Sequence, residues 1–243
     1  MDVAMISVPQ LTLAFIPVAV VLVLMWRWGH GYGRGLQAIA RMLLQLTLIG
    51  YVLIYIFQTD SGLLIAGVLT IMLLAASWIA LNTVDLPRSP LFFASLVSVL
   101  LGGGTTLFLI TQGVLRLQPW YQPSYMIPLA GMIFAASMTN ISLALERLHA
   151  ELKNGVEFQH ARSTAFRTSM IPVINSCLAV GLISLPGMMT GQILSGVSPL
   201  IAARYQIMVM CMIFGAAGLS TVCFLVMVQR NKYFIGHSEP KIT

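Results

Sequence analysis

Seven runs of mostly apolar residues, roughly 9–26, 36–57, 62–82, 90–111, 126–145, 169–194 and 204–229, leave this chain few ways to fold. Each comes close to the ~20 residues that a helix needs to cross a bilayer core of ~30 Å, and the charged residues fall mainly between the runs. Lipid offers no partner to a free N–H or C=O, so runs of this kind become helices. With 58% hydrophobic and only 8% charged residues, no sizeable soluble core is implied. The expectation is an all-α integral membrane protein, one transmembrane domain over residues 1–243 with about seven helices.

The first run has Asp2 before it instead of a basic region, and Arg27 and Arg34 after it instead of a small-residue cleavage site. It reads as a retained helix and not as a secretory signal. Orientation follows from where the basic residues lie, because cytoplasmic loops are enriched in Lys and Arg. With the N-terminus outside, the inner side receives Arg27, Arg34, Arg41, Arg88, Arg147, Lys153, Arg162, Arg167, Arg230, Lys232 and Lys241, and the outer side keeps Arg116 and Arg204. The expected topology is therefore N-out and C-in. The net charge of +6 is accounted for by insertion bias and anionic lipid, without a nucleic-acid partner. Trp120, Tyr121 and Tyr125, with Pro119 and Pro123, read as an outer interfacial belt.

The stretch 180–206 asks for more than a lipid-facing anchor. It carries Pro186 and Pro199, a Gly187/Gly191 pair at GxxxG spacing, and the uncharged polar residues Thr190 and Gln192. Pro186 removes a helix hydrogen bond, so the sixth helix is expected to kink there, with its freed backbone groups facing protein or a water-filled cavity. The GxxxG spacing lets another helix come close. Both features suit a segment that lines a pathway.

The string Leu185-Pro186-Gly187-Met188-Met189-Thr190-Gly191-Gln192, followed by Pro199 and by Tyr205-Gln206-Ile207, resembles the signature of the FetB-type ABC transporter permeases. That family is associated with iron export, and its plant relatives are linked to aluminium tolerance. The likeness extends more loosely to Arg41, Gln45 and Gly50-Tyr51-Val52-Leu53, to Ile127-Pro128-Leu129-Ala130-Gly131-Met132 and to Ile171-Pro172, covering about residues 36 to 229. It implies the membrane subunit of a transporter in a cell membrane, the inner membrane of a bacterium, working as a homodimer with a separate ATPase subunit. It also implies a translocation pathway through the signature, from Pro186 to Gln192, and through Arg41, Gln45, Tyr205 and Gln206.

Other residues constrain the chemistry. No Gly-x-x-x-x-Gly-Lys-Ser/Thr occurs, and Lys153, Lys232 and Lys241 are the only lysines, so ATP hydrolysis by the P-loop route falls to another polypeptide. No span carries Asp, Glu or His near its middle, the groups that proton- or ion-coupled carriers use as relays. Met188 and Met189 offer soft thioethers, but no His, Cys or carboxylate stands beside them in sequence, so adaptable packing is the expected role, with no metal site and no cofactor. Cys177, Cys211 and Cys223 lie in apolar runs without CxxC spacing and read as small buried thiols. Gly102-Gly103-Gly104 reads as a packing or bending point. Arg41 and Gln45, four apart on one helix face, have two readings: a gate or lining contact, or an Arg snorkelling to the headgroups with Gln45 bonding a neighbouring helix.

The longest polar stretch, 146–168, is expected to form helical extensions around a turn at Lys153-Asn154-Gly155. In the family this is where a short coupling helix docks into the ATPase, which implies coupling roles for Glu151, Lys153, Asn154, Gly155 and Glu157. Here Ala150-Glu151-Leu152-Lys153-Asn154-Gly155-Val156 stands where the family has an acidic residue and Leu-x-Leu-Gly-Ala. Ala135-Ala136 likewise replaces its Gly-Asn. Besides the permease subunit, two readings stay open: a stand-alone channel or carrier, and a non-transporting membrane partner or sensor.

Overall fold

The computed structural model describes residues 7–29, 31–58, 60–84 and 86–229; Asp2, His30, Arg230, Lys232 and Lys241 lie outside them. Every regular element among the described residues is helical. The chain divides into two compact units, 1–59 and 60–243.

The first unit holds α1 (Val8–Leu13), α2 (Phe15–Arg27) and α3 (Tyr32–Phe57). Gly29 and Gly31 take φ of 69° and 49° between α2 and α3, backbone that residues with a Cβ rarely adopt. Gly35 then lets α3 lie against Leu22 and Met25 of α2. Ile56 is the one buried side chain of α3. Arg41 and Gln45 sit on α3, both exposed.

The second unit holds α4 (Gly62–Ile79), α5 (Ser89–Val114), α6 (Pro123–Lys153), α7 (Phe158–Ala179), α8 (Gly187–Leu194) and α9 (Pro199–Val228). Its core lies where α5, α6 and α9 meet, around Ile133, Ile141, Met212, Phe224 and Val99. Small residues hold that seam closed. Gly102 faces Ser220, Gly103 faces Ile133 and Ser137, and the Ser220 hydroxyl donates to Ser137 Oγ at 2.9 Å. Along α5 the helix widens into π-turns at Val99–Gly104 and Leu109–Val114, the first of them containing all three glycines. The glycine triplet thus serves close helix packing, as its sequence suggests.

Both ends of this unit carry polar clasps. At one, Tyr121 stacks edge-on with Trp120 at 5.6 Å and donates to Asp60 Oδ1 at 2.9 Å. That hydrogen bond, reinforced by the carboxylate charge, raises the Tyr121 phenol above its ordinary pKa. At the other, the Arg88 guanidinium lies 5.5 Å from the Trp78 ring centroid.

Among the described residues, six helices are long and apolar enough to cross a membrane: Pro9–Arg27, Tyr32–Phe57, Gly62–Ile79, Ser89–Val114, Pro123–Lys153 and Pro199–Val228. The molecule is an all-α, multi-pass membrane protein. The segment 169–194, expected as one kinked helix, is instead broken into α7 and α8 with 180–186 between them. Its break is not at Pro186. Gly181 turns the chain at φ 83°, which Gly alone adopts without strain, and Pro186 with φ −62° opens the next helix at its N-cap.

Candidate functional site

The interruption between α7 and α8 is a tight turn. The N–H groups of Ile183 and Ser184 both donate to the Ala179 carbonyl at 2.9 and 3.2 Å, and Gly181 donates to Ser184 at 3.0 Å. Leu182 and Ile183 are thrown outward, 90% and 86% exposed. α8 lasts only eight residues before Gly196, at φ 91°, closes it: the N–H groups of Gly196 and Val197 reach back to Ile193 and Gln192. Ser198 and Pro199 then start α9.

This broken segment forms one wall of a cavity of about 820 Å3. The other walls are three helix faces at regular spacing: Met132, Ala136 and Asn140 on α6, Pro172, Ser176 and Ala179 on α7, and Gln206, Val209 and Ile213 on α9. Pro186, Gly187 and Met188 supply the wall from the signature, and Ala135-Ala136 also border it. Of the pathway residues expected from the sequence, Pro186, Gly187, Met188 and Gln206 border this one cavity.

The remaining expected pathway residues scatter. Met189 lines a second cavity of about 330 Å3 together with Cys177, Met210 and Cys211, and Gln206 borders both. Tyr205 faces a separate hollow beside Arg116 and Gln122. Thr190 Oγ1 donates to the Pro186 carbonyl at 3.2 Å, within α8 itself. Gln192 Oε1 is buried without a hydrogen-bond partner. Among the described residues, nothing lies within 4 Å of a Cβ built at Gly187 or Gly191, so no neighbouring helix is packed closely against their GxxxG face. Arg41 and Gln45 belong to the first unit.

Cys177 and Cys211 are exposed and Cys223 is half-buried, all as free thiols, so the expectation of buried cysteines fails for two of the three. A span in lipid has no need to hide a thiol from its surroundings. Among the described residues, no three His, Cys, Asp or Glu side chains gather as a metal site.

Asn140 is the residue that sequence reasoning missed. It is 1% exposed and Gln206 7%, both line the large cavity, and neither Asn140 Nδ2 nor Gln206 Oε1 has a hydrogen-bond partner. Buried amides are nearly always paired, so two orphans on one cavity mark it out. The signal was present as a lone amide in an apolar helix, but attention to Asp, Glu and His passes over it.

At the far end of α6, the helix stops in the turn expected at Lys153-Asn154-Gly155. Gly155 takes φ 82°, and the N–H groups of Gly155 and Val156 cap the Leu152 and Glu151 carbonyls. Glu151 pairs with Arg147 one turn back, while Glu157 precedes α7 and lies 3.9 Å from His160. No separate short helix lies here. The polar stretch is a helical hairpin whose tip exposes Lys153, Asn154, Gly155 and Glu157.

No solved structure matches the chain. Among curated proteins it is 38% identical over 221 residues to the UPF0014 membrane protein slr1647 of Synechocystis, covering 84% of each chain. It is 36% identical to the protein ALUMINUM SENSITIVE 3 of Arabidopsis thaliana, over 77% of this chain and 72% of that one. It is 32% identical to the probable iron export permease protein FetB of Escherichia coli, over 83% of this chain and 82% of that one. The profile of UPF0014, described as an uncharacterised protein family, matches residues 8–234, and with relatives of this identity and coverage the chain belongs to that family.

Proposed function

We propose that this chain is the membrane-spanning permease subunit of an ABC transporter, that it works as a homodimer with separate ATPase subunits, and that it exports iron, another metal ion or a small solute. The cavity of about 820 Å3 beside the broken helix carries this reading. Irregular backbone in a bilayer is tolerated where it is covered by protein or lines a water-filled space, and Val180, Ser184 and Pro186 of the broken stretch border this cavity. A relative at 32% identity bears the name of a probable iron export permease.

Three further features support the reading. The sequence given holds no P-loop, which fits a permease whose ATP hydrolysis falls to a partner. The hairpin tip at 153–157 offers a polar docking surface for one. The open Gly187/Gly191 face suits a second copy of the chain. Purified protein reconstituted with its candidate ATPase should drive ATP-dependent flux across vesicles. Flux that is unchanged when the ATPase is left out would instead indicate a stand-alone channel or carrier.

A further inference from the structure

The fold gathers sulfur at one place where the sequence leaves it dispersed. The smaller cavity, of about 330 Å3, is bordered by Cys177 of α7, Met189 of α8, and both Met210 and Cys211 of α9. On α9 the lining residues Ala203, Ile207 and Cys211 follow at four-residue spacing, so Cys211 stands on the helix face turned toward this cavity. On α7, Cys177 lies one turn before Gly181, and the break at Gly181 leads into α8, which adds Met189 to the same lining. Cys177 and Cys211 are exposed free thiols, whereas Cys223, which does not border the cavity, is half-buried. Exposure to lipid does not by itself bring two open thiols and two thioethers to one hollow. No Asp, Glu or His borders it, so a hard cation finds no carboxylate there. Two thiols also fall short of the four N, S or O donors of a structural zinc site. Thiolates with thioethers are the soft donor set that selects Cu(I).

We infer that Cys177, Cys211, Met189 and Met210 hold a soft monovalent cation, Cu(I), with Ag(I) taken by the same chemistry. The thiols are the principal ligands: as each S–Cu bond forms, the thiol proton leaves to solvent, and the metal keeps its oxidation state. Thiolate charge offsets that of the cation, which an apolar lining otherwise disfavours. The thioethers add neutral, adaptable donors. Val180, Gln206 and Met210 border both this cavity and the larger one, so the site stands beside the larger cavity. It does not depend on what, if anything, passes through that space.

The test uses the full chain, reduced and kept free of oxygen in lipid nanodiscs without any ATPase, titrated into the coloured Cu(I)–bicinchoninate complex. Wild type should withdraw one equivalent of Cu(I) per chain and develop a thiolate-to-copper charge-transfer band in the ultraviolet. Cys177→Ser combined with Cys211→Ser should abolish both signals, and Cys223→Ser, away from the cavity, should leave both unchanged. Met189→Leu and Met210→Leu keep an apolar side chain of similar volume and should each weaken Cu(I) by about tenfold or more, the scale on which a disturbed ligand shell acts. Ag(I) should compete, and Zn(II) and Fe(II) should not. Alkylating folded Cys223→Ser protein with N-ethylmaleimide should also abolish binding, which keeps the test decisive if the double cysteine variant fails to insert. The inference is overturned if no equivalent is withdrawn, if binding survives loss of both thiols, if Cys223→Ser loses it, if the methionine variants bind as tightly as wild type, or if Zn(II) or Fe(II) displaces Cu(I). Cu(I) binding without ATP-driven flux would leave the site standing and sink the transporter reading, while flux without Cu(I) binding would do the reverse.

Discussion

Gly102 on α5 lies so close to Ser220 on α9 that a Cβ at position 102 would fall 2.3 Å from the Ser220 backbone nitrogen. Since the obstacle is backbone, no side-chain rotation relieves it, and the two helices have to part. Gly102→Ala should lower stability by about 1–3 kcal/mol, the usual cost of overpacking. Gly67→Ala on α4, where nothing lies within 4 Å, is the control and should be neutral or gain up to ~1 kcal/mol from helix propensity. Thermal unfolding in detergent reads both; equal melting of the two variants would contradict the seam.

The helix break depends on Gly181 more than on Pro186. A Cβ at φ 83° costs roughly 1–2 kcal/mol even in open space, and more for a branched residue. Gly181→Val should therefore reduce flux severalfold at normal insertion, with Pro186→Ala milder because Pro186 only opens α8. Flux assays at matched protein level decide the order, and a stronger effect from Pro186→Ala would restore the kinked-helix expectation.

Gly191→Leu separates the chain from its assembly, because Gly191 shares the GxxxG face but, unlike Gly187, does not border the large cavity. Nothing within 4 Å opposes a side chain there, so folding of one chain should be unaffected. If a second copy covers this face, the variant should shift a dimer toward monomer on size exclusion in mild detergent and lower flux together. Unchanged dimer and flux would leave the GxxxG face to lipid.

Tyr121 should titrate above an ordinary phenol, since ionising it breaks the hydrogen bond to Asp60 and puts a second negative charge beside it. Its raised pKa means that the clasp is present at neutral pH and is lost as pH rises through that value. A difference titration against Tyr121→Phe should show this, and Asp60→Asn should bring the phenol back down. A Tyr121 signal indifferent to Asp60→Asn would contradict the clasp.

Most of the fold was legible because apolar length and helix formation in lipid are nearly the same statement; the expected runs 62–82 and 204–229 coincide to within a residue with Gly62–Ile79 and Pro199–Val228 except at one end of each. The turn at Gly155 was legible for the same local reason, a Gly after a charged helix end. The break at Gly181 was not. Pro186 is the louder sequence signal, and whether a proline bends a helix or begins one depends on the residues before it. The cavity was half legible: Pro186, Gly187, Met188 and Gln206 stand in a recognisable string, whereas Asn140 and Asn175 join them only once α6 and α7 are folded against α9.

Orientation rests on the division of Lys and Arg, eleven against two. Single cysteine tags at 112–125 should react with an impermeant maleimide from outside, and tags at 146–168 only after the membrane is opened. The reverse pattern would put the hairpin tip out of reach of any cytoplasmic ATPase.

The account stands or falls on whether that tip transmits the work of an ATPase. Reversing Glu151 and Glu157 together changes the charge of a mostly exposed surface, at the cost of the Arg147 pair, worth ~0.3–0.5 kcal/mol. In vesicles containing the chain and a candidate ATPase, ATP turnover and cargo flux are measured side by side, with wild type and with the double variant. The account predicts coupled flux for wild type, and for the variant normal insertion, weakened ATPase capture and ATP turnover without flux. Full capture and full coupling in the double variant would contradict it.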